Sequence, residues 1–189
     1  MQAVSLEDLA AQGAYLSGHF VLSSGLHSPY YLQCAIYLAN PQAAEAAGRQ
    51  LAARLRLVGA QLVVSPALGG VIIGHQVARA LGVPFFFTER VEGKMTLRRG
   101  FRVPEGARVV VVEDVVTTGG STREVMEVVQ RQGGQVVGVG CLANRSGSPN
   151  PFPPLPFAAL LEVTIPTYPP ETCPLCQQGI PAEKPGSRR

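Results

Sequence analysis

The chain has 189 residues, 46% of them hydrophobic and 15% charged, with a net charge of +3. So apolar and weakly charged a composition excludes a disordered chain and fits one domain, 1–189, with a substantial core. The mild basic excess lies mainly at 90–102 and in Lys184, Arg188 and Arg189, which is no nucleic-acid stripe, and no run is long enough to span a membrane.

In chain order, Ser5-Leu6-Glu7-Asp8 reads as a helix start, capped by Ser5 with acids in the first turn. This helix is expected to reach about Leu16. Serines and glycines then punctuate short β segments from Gly18 to Gln33. Asn40-Pro41 is a cap followed by an N1 proline, and the alanine-rich Gln42–Leu57 continues that helix. Gln61–Ser65 is a short strand, Pro66–Gly70 a loop, and Val71–Leu81 a helix closed by Gly82. Val83–Thr88 is the next strand, and Glu89–Arg102 a charged, flexible loop. After a strand through Val109–Val112 and a helix from Thr122 to Gln132, Gln135–Leu142 is a further strand. Phe157–Val163 adds another beyond a proline-rich stretch, and 166–189 reads as an irregular arm packed on the body. Short strands alternating with helices predict an α/β fold built on a mostly parallel sheet. Right-handed crossovers then gather the loops after Ser65, Thr88, Asp114 and Leu142 on one edge.

Residues 109–121 are the most informative run: four valines, Glu113 and Asp114, then Val115-Val116-Thr117-Thr118-Gly119-Gly120-Ser121. Ligands of parallel sheets bind outside the carboxyl ends of strands, where loops feed helix N-termini. Free N–H groups there suit a phosphate, glycines allow its close approach, and Thr and Ser add hydroxyls. The two acids repel a phosphate but suit the vicinal hydroxyls of a ribose. The run therefore describes a site for a sugar phosphate. No lysine follows the second glycine, so it is not a P-loop, nor is it a dinucleotide fingerprint.

Cys34 and Cys141 lie in apolar contexts and read as reduced, buried residues. Cys173-Pro174-Leu175-Cys176 has the spacing of half a zinc site. No second such pair or nearby histidine completes it within one chain, so the segment reads as a tight turn. A site shared across a dimer is the alternative. His19, His27 and His75 are not expected to be catalytic, His75 being structural and His27 at most lining the site.

The run at 109–121 resembles the phosphoribosyl-pyrophosphate (PRPP) motif of the type I phosphoribosyltransferases. Three more segments resemble the orotate phosphoribosyltransferases: Ser24-Gly25-Leu26-His27-Ser28-Pro29-Tyr30-Tyr31, Glu89-Arg90-Val91-Glu92-Gly93-Lys94, and Leu142-Ala143-Asn144-Arg145. The resemblance covers most of 15–150. It implies the type I phosphoribosyltransferase fold, with a central mostly parallel sheet flanked by helices. A small hood at 15–40 and the irregular C-terminal arm complete it. It further implies transfer of phosphoribose from PRPP to orotate with Mg²⁺, held mainly by PRPP.

By position, Glu113 and Asp114 would hold the ribose hydroxyls, and Val115, Val116, Thr117, Thr118, Gly119, Gly120 and Ser121 would cradle the 5′-phosphate. Arg145, Thr117, Tyr31 and Leu32 would meet orotate. Arg90 and Lys94 would lie on a mobile loop over pyrophosphate, with Lys94, Arg90 and Asp114 as the catalytic set. The family also implies a homodimer sharing that loop. The acidic N-terminal start, unlike a basic leader, fits the cytoplasm.

Departures are plain too. Ser23 and Gly69 stand where many orotate enzymes have lysines, Val91 replaces a loop lysine, and Thr96 stands where histidine is common. Lys94, Arg98 and Arg99 are the cations left to compensate, which marks a distinct branch. Two alternatives stay open at this level: a phosphoribosyltransferase for another base, and a non-enzymatic PRPP sensor.

Overall fold

The computed structural model describes residues 3–22 and 24–185, so Ser23, Arg188 and Arg189 lie outside the described residues. Helix α1 (Leu6–Ala11) opens with a reciprocal capping box: the Asp8 N–H donates to the Ser5 hydroxyl, and the Ser5 N–H donates to the Asp8 carboxylate. It ends well short of Leu16, because Gly13 adopts a positive φ of 71° and the chain turns into strand β1. Strands β1 (Tyr15–Val21) and β2 (His27–Leu32) form a separate antiparallel hairpin. This is the expected hood.

Helix α2 (Cys34–Leu38) is too short to carry a periodic signal and was not expected. Helix α3 (Pro41–Leu55) starts as expected, with the Asn40 side chain accepting from the N–H groups of Gln42 and Ala43. Next come β3 (Leu62–Pro66), α4 (Gly69–Leu81), β4 (Phe85–Val91), β5 (Lys94–Leu97), β6 (Arg108–Val116), α5 (Gly120–Arg131), β7 (Gln135–Asn144) and β8 (Phe157–Glu162). The main sheet has the order β5-β4-β3-β6-β7-β8, and only the edge strand β5 runs antiparallel.

Val109, Val110, Val111 and Val112 are all fully buried, which only a strand covered on both faces allows. Val110 and Val112 pack with Leu51, Leu55, Ile73 and Val77 of α3 and α4, whereas Val109 and Val111 pack with Val125 and Val129 of α5. Burying these four side chains contributes roughly 6–12 kcal/mol before entropy is counted. That offsets the cost of placing two carboxylates in the same strand.

The segment expected as a flexible loop at Glu89–Arg102 is instead largely a hairpin, with Val91 paired to Lys94 and Thr88 to Leu97. Two of its cations are paired: Arg99 binds Glu89, and Arg90 binds Glu124 on α5 through two contacts of 2.8 and 2.9 Å. The C-terminal arm follows both edges of the β1–β2 hairpin. Tyr168 exchanges backbone hydrogen bonds with His27, and the Glu183 carbonyl accepts from Val21 N–H. Short helix α6 (Pro174–Gln177) sits within the arm. The arm also corrects the reading of Cys173 and Cys176 as a plain turn, because it lays both against His19 and His27.

Candidate active site

Strand β6 runs through Glu113 and Asp114 to Val116, with Glu113 opposite Cys141 and Val116 opposite Asn144 on β7. The acids are therefore the sixth and seventh of the strand's nine residues rather than its end. Glu113 is buried, at 7% exposure, and Asp114 is partly buried. Burial, reinforced by the neighbouring Asp114, holds the Glu113 carboxyl well above the usual carboxylate range. Burial also raises Asp114, although its carboxylate accepts a 2.8 Å hydrogen bond from the Val115 N–H. A carboxyl pair raised in this way has acceptor capacity beyond the Val115 N–H, and ribose hydroxyls are donors of the required kind.

Gly69, at the start of α4, faces Asp114 so closely that a Cβ there would lie 2.6 Å from both carboxylate oxygens. The place where the resemblance leads one to expect a lysine is thus closed to any side chain while Asp114 keeps this position. Gly69→Ala should displace the Asp114 carboxylate and raise the KM for PRPP several-fold, with Tm nearly unchanged because the clash falls on a side-chain end. An unchanged KM would separate Gly69 from the sugar site.

The phosphate-type loop has the expected form. Gly119 takes φ 76° before α5, and no side chain caps the helix, so its first N–H groups stay open. A Cβ on Gly119 would strike the Phe152 ring at 2.9 Å, whereas at Gly120 the nearest atom is the Thr118 hydroxyl at 3.7 Å. The glycines thus do different work, one packing inward and one leaving room outside. Arg123 braces the loop from behind, donating to the carbonyls of Thr118 at 2.6 Å and Pro151 at 2.8 Å. Its guanidinium also lies over Phe152. Arg123 and Phe152 carry no sequence motif and were missed.

Arg145 meets this loop through its backbone: its N–H donates to the Val116 carbonyl at 2.7 Å. Asn144 holds the turn beyond it, accepting from the Ser146 N–H and donating to the Ser148 carbonyl and Glu162. The Arg145 side chain is half-buried, and its Nε is buried without a hydrogen-bond partner among the described residues. Burial lowers its pKa, and only weakly acidic neighbours, Cys34, Tyr31 and Tyr15, oppose the shift. Tyr31 lies within electrostatic reach of both Arg145 and Asp114. Tyr30 stacks on Tyr15 with centroids 5.3 Å apart, and Leu32 is buried in the core. An unpaired, partly desolvated guanidinium is the natural counterpart of a carboxylate.

Lys94 and Arg90 do not join this group within one chain. Strands β4 and β3 separate β5 from β6, so Lys94 stands about 14 Å to the side. Thr88 pairs with Pro66, the last residue of β3, so β4 runs three residues, roughly 10 Å, beyond its neighbour. Lys94, Arg98 and Arg99 are exposed on this projecting hairpin. Glu113, Asp114, residues 115–121, Tyr31 and Arg145 thus gather on one edge, while Arg90 is held by Glu124 of α5 and Lys94 stands to the side.

The family model of the phosphoribosyl transferase domain matches residues 35–151. The chain is 56% identical to the orotate phosphoribosyltransferase of Carboxydothermus hydrogenoformans, over 93% of each protein. It is 51% identical to that of Thermotoga maritima, over 96% of this chain and 97% of the relative. Among solved structures, the orotate phosphoribosyltransferase of Aeropyrum pernix superposes with a TM-score of 0.70 at 26% identity, covering 83% of this chain and 92% of that one.

Proposed function

The chain belongs to the phosphoribosyl transferase family and, within it, to the orotate phosphoribosyltransferases, and from this membership we propose how its own residues carry the reaction. It transfers phosphoribose from PRPP to orotate, giving orotidine 5′-monophosphate and pyrophosphate for pyrimidine biosynthesis. The C1–O bond to pyrophosphate breaks, and a bond from C1 to orotate N1 forms as N1 gives up its proton.

The observation that carries the base assignment is the buried, unpartnered Nε of Arg145 beside the acid pair and the phosphate loop. Orotate differs from uracil by a carboxylate, which a guanidinium reads with two parallel hydrogen bonds. Tyr31 and the Leu32 backbone form the wall beside the base, with Thr117 opposite. Glu113 and Asp114 accept from the ribose hydroxyls, and residues 115–121 donate to the 5′-phosphate. Held at both ends, the sugar keeps C1 facing the base, which removes most of the entropic cost of the encounter.

Mg²⁺ would be carried in by the substrate and held mainly by PRPP, with Asp114 as a protein carboxylate that could add a contact. The ion's contribution is neutralisation of the leaving pyrophosphate. Arg90 and Lys94 supply further positive charge there, and closure of their hairpin excludes water. Because the hairpin projects from its own sheet, we assign it to the site of a second copy in a homodimer. None of the four cysteines is in a disulfide, which fits a reducing cytoplasm.

Orotate absorbance followed with PRPP and Mg²⁺, with uracil and purine bases in parallel, tests the substrate. PRPP-dependent loss of orotate alone supports the reading, and turnover of another base overturns it. The shared loop has its own test. Lys94→Ala and Asp114→Asn chains, each nearly inactive, should regain about a quarter of wild-type activity when refolded together, since half the dimers are mixed and each holds one intact site. No recovery would place Lys94 in its own chain's site.

A further inference from the structure

We propose that His19, His27, Cys173 and Cys176 hold a structural zinc ion that fastens the C-terminal arm to the β1–β2 hairpin. One ligand atom from each residue lies within 4.8 Å of all the others. Zn–S bonds of about 2.3 Å and Zn–N bonds of about 2.1 Å at tetrahedral angles give N···S edges of roughly 3.6 Å. The edges here are 3.5 Å from Cys173 Sγ to His19 Nε2, 3.7 Å from Cys176 Sγ to His19 Nε2, and 3.2 Å from Cys176 Sγ to His27 Nδ1. The two imidazole nitrogens are 2.8 Å apart. Zinc would part them by about half an ångström, a small ring rotation.

The outer contacts are those of a metal ligand. His19 is buried at 3% exposure, and its Nδ1 lies 2.7 Å from the Ile180 carbonyl. A carbonyl only accepts, so Nδ1 carries the proton and Nε2 presents its lone pair to the cluster. Cys173 is fully buried at the head of α6, and Pro174 begins the turn that returns Cys176 to the same point. Two sulfurs and two imidazoles with all four positions filled by protein favour zinc in a closed, structural role, with none left for substrate water. None of the four belongs to the acid pair, the phosphate loop or the Arg145 wall.

The ion would join the two strands of the hairpin to an arm about 150 residues away in sequence, and β2 is the strand that carries Tyr30, Tyr31 and Leu32 to the active edge. Arm and hairpin also share the bonds of Tyr168 and Glu183, so metal loss should loosen the hood without unfolding the sheet.

Metal analysis of the full-length protein, purified under reducing conditions without added chelator, tests this directly. About one zinc per chain is expected, lost in both Cys176→Ser and His27→Ala and kept in Cys141→Ser. As a readout that needs no variant, chelated wild type should take up Co²⁺ with the intense visible bands of a tetrahedral site and an ultraviolet sulfur-to-cobalt band. Protein that holds no zinc and gives no such spectrum overturns the proposal. So does an intact Cys173–Cys176 disulfide in the freshly isolated protein, or cobalt bands that persist in Cys176→Ser.

Discussion

Arg145→Ala should cut kcat/KM for orotate by roughly 30- to 1,000-fold, about 2–4 kcal/mol of charge-assisted hydrogen bonding, with little change in the KM for PRPP. Arg145→Lys should recover only a small part, because an ammonium cannot make two parallel bonds to one carboxylate. The preference for orotate over uracil should collapse in parallel. Stability should move the other way or not at all: the wild-type guanidinium is partly desolvated with an unpaired Nε, so its removal leaves no orphaned partner. Steady-state kinetics with both bases, together with a melting curve, check the whole pattern. A loss of orotate activity matched by a large drop in Tm would instead make Arg145 a structural residue.

Glu113→Gln should be more stable than wild type at neutral pH and much poorer at binding PRPP. Burial holds the Glu113 carboxyl well above its ordinary value, so the fold prefers the protonated form. The unfolded chain titrates near the ordinary value and so binds fewer protons than the folded chain between the two. Stability is therefore fullest below the ordinary glutamate pKa and falls as pH rises toward the raised one. Glutamine has no such slope, so its advantage should widen with pH across that window. A gain of about 1 kcal/mol would raise Tm by roughly 2–4 °C in a chain of this size. Binding should suffer because an amide cannot ionise to give the second acceptor oxygen that the ribose hydroxyls call for. Melting curves from acid to neutral pH, with PRPP titrations, check both halves. Equal slopes for the two proteins would mean that Glu113 is already ionised at no cost.

The parts legible in the sequence are those whose chemistry is local. The valine run, the acids and the Thr-Thr-Gly-Gly-Ser loop lie within thirteen consecutive residues, and their order alone predicts strand, site and helix. Asn40-Pro41 and Gly82 mark helix ends by backbone rules that need no tertiary contact. The hairpin at 89–97 was hidden because an edge strand is half solvated, so charged residues such as Glu89, Arg90 and Lys94 imitate a loop. The early helix was overextended because the Gly13 turn gave too weak a signal beside Tyr15 and Leu16. The four-residue cluster was out of reach for a different reason. Cys173 and His19 are 154 residues apart, and Cys176 and His27 are 149 apart, a separation that only the arm's path along the hood closes. Arg123 was missed because a brace behind a loop has no motif.

The 2.7 Å hydrogen bond from the Arg145 N–H to the Val116 carbonyl makes neighbours of the two elements proposed to read different substrates. Val116 ends the strand that feeds the loop proposed for the 5′-phosphate, and Arg145 begins the turn proposed to meet the base. That shared bond is a route by which ordering of the phosphate loop would be expected to reach the Arg145 turn. Linkage then fixes a symmetry: any factor by which PRPP improves the affinity for orotate must equal the factor by which orotate improves the affinity for PRPP, whichever substrate arrives first.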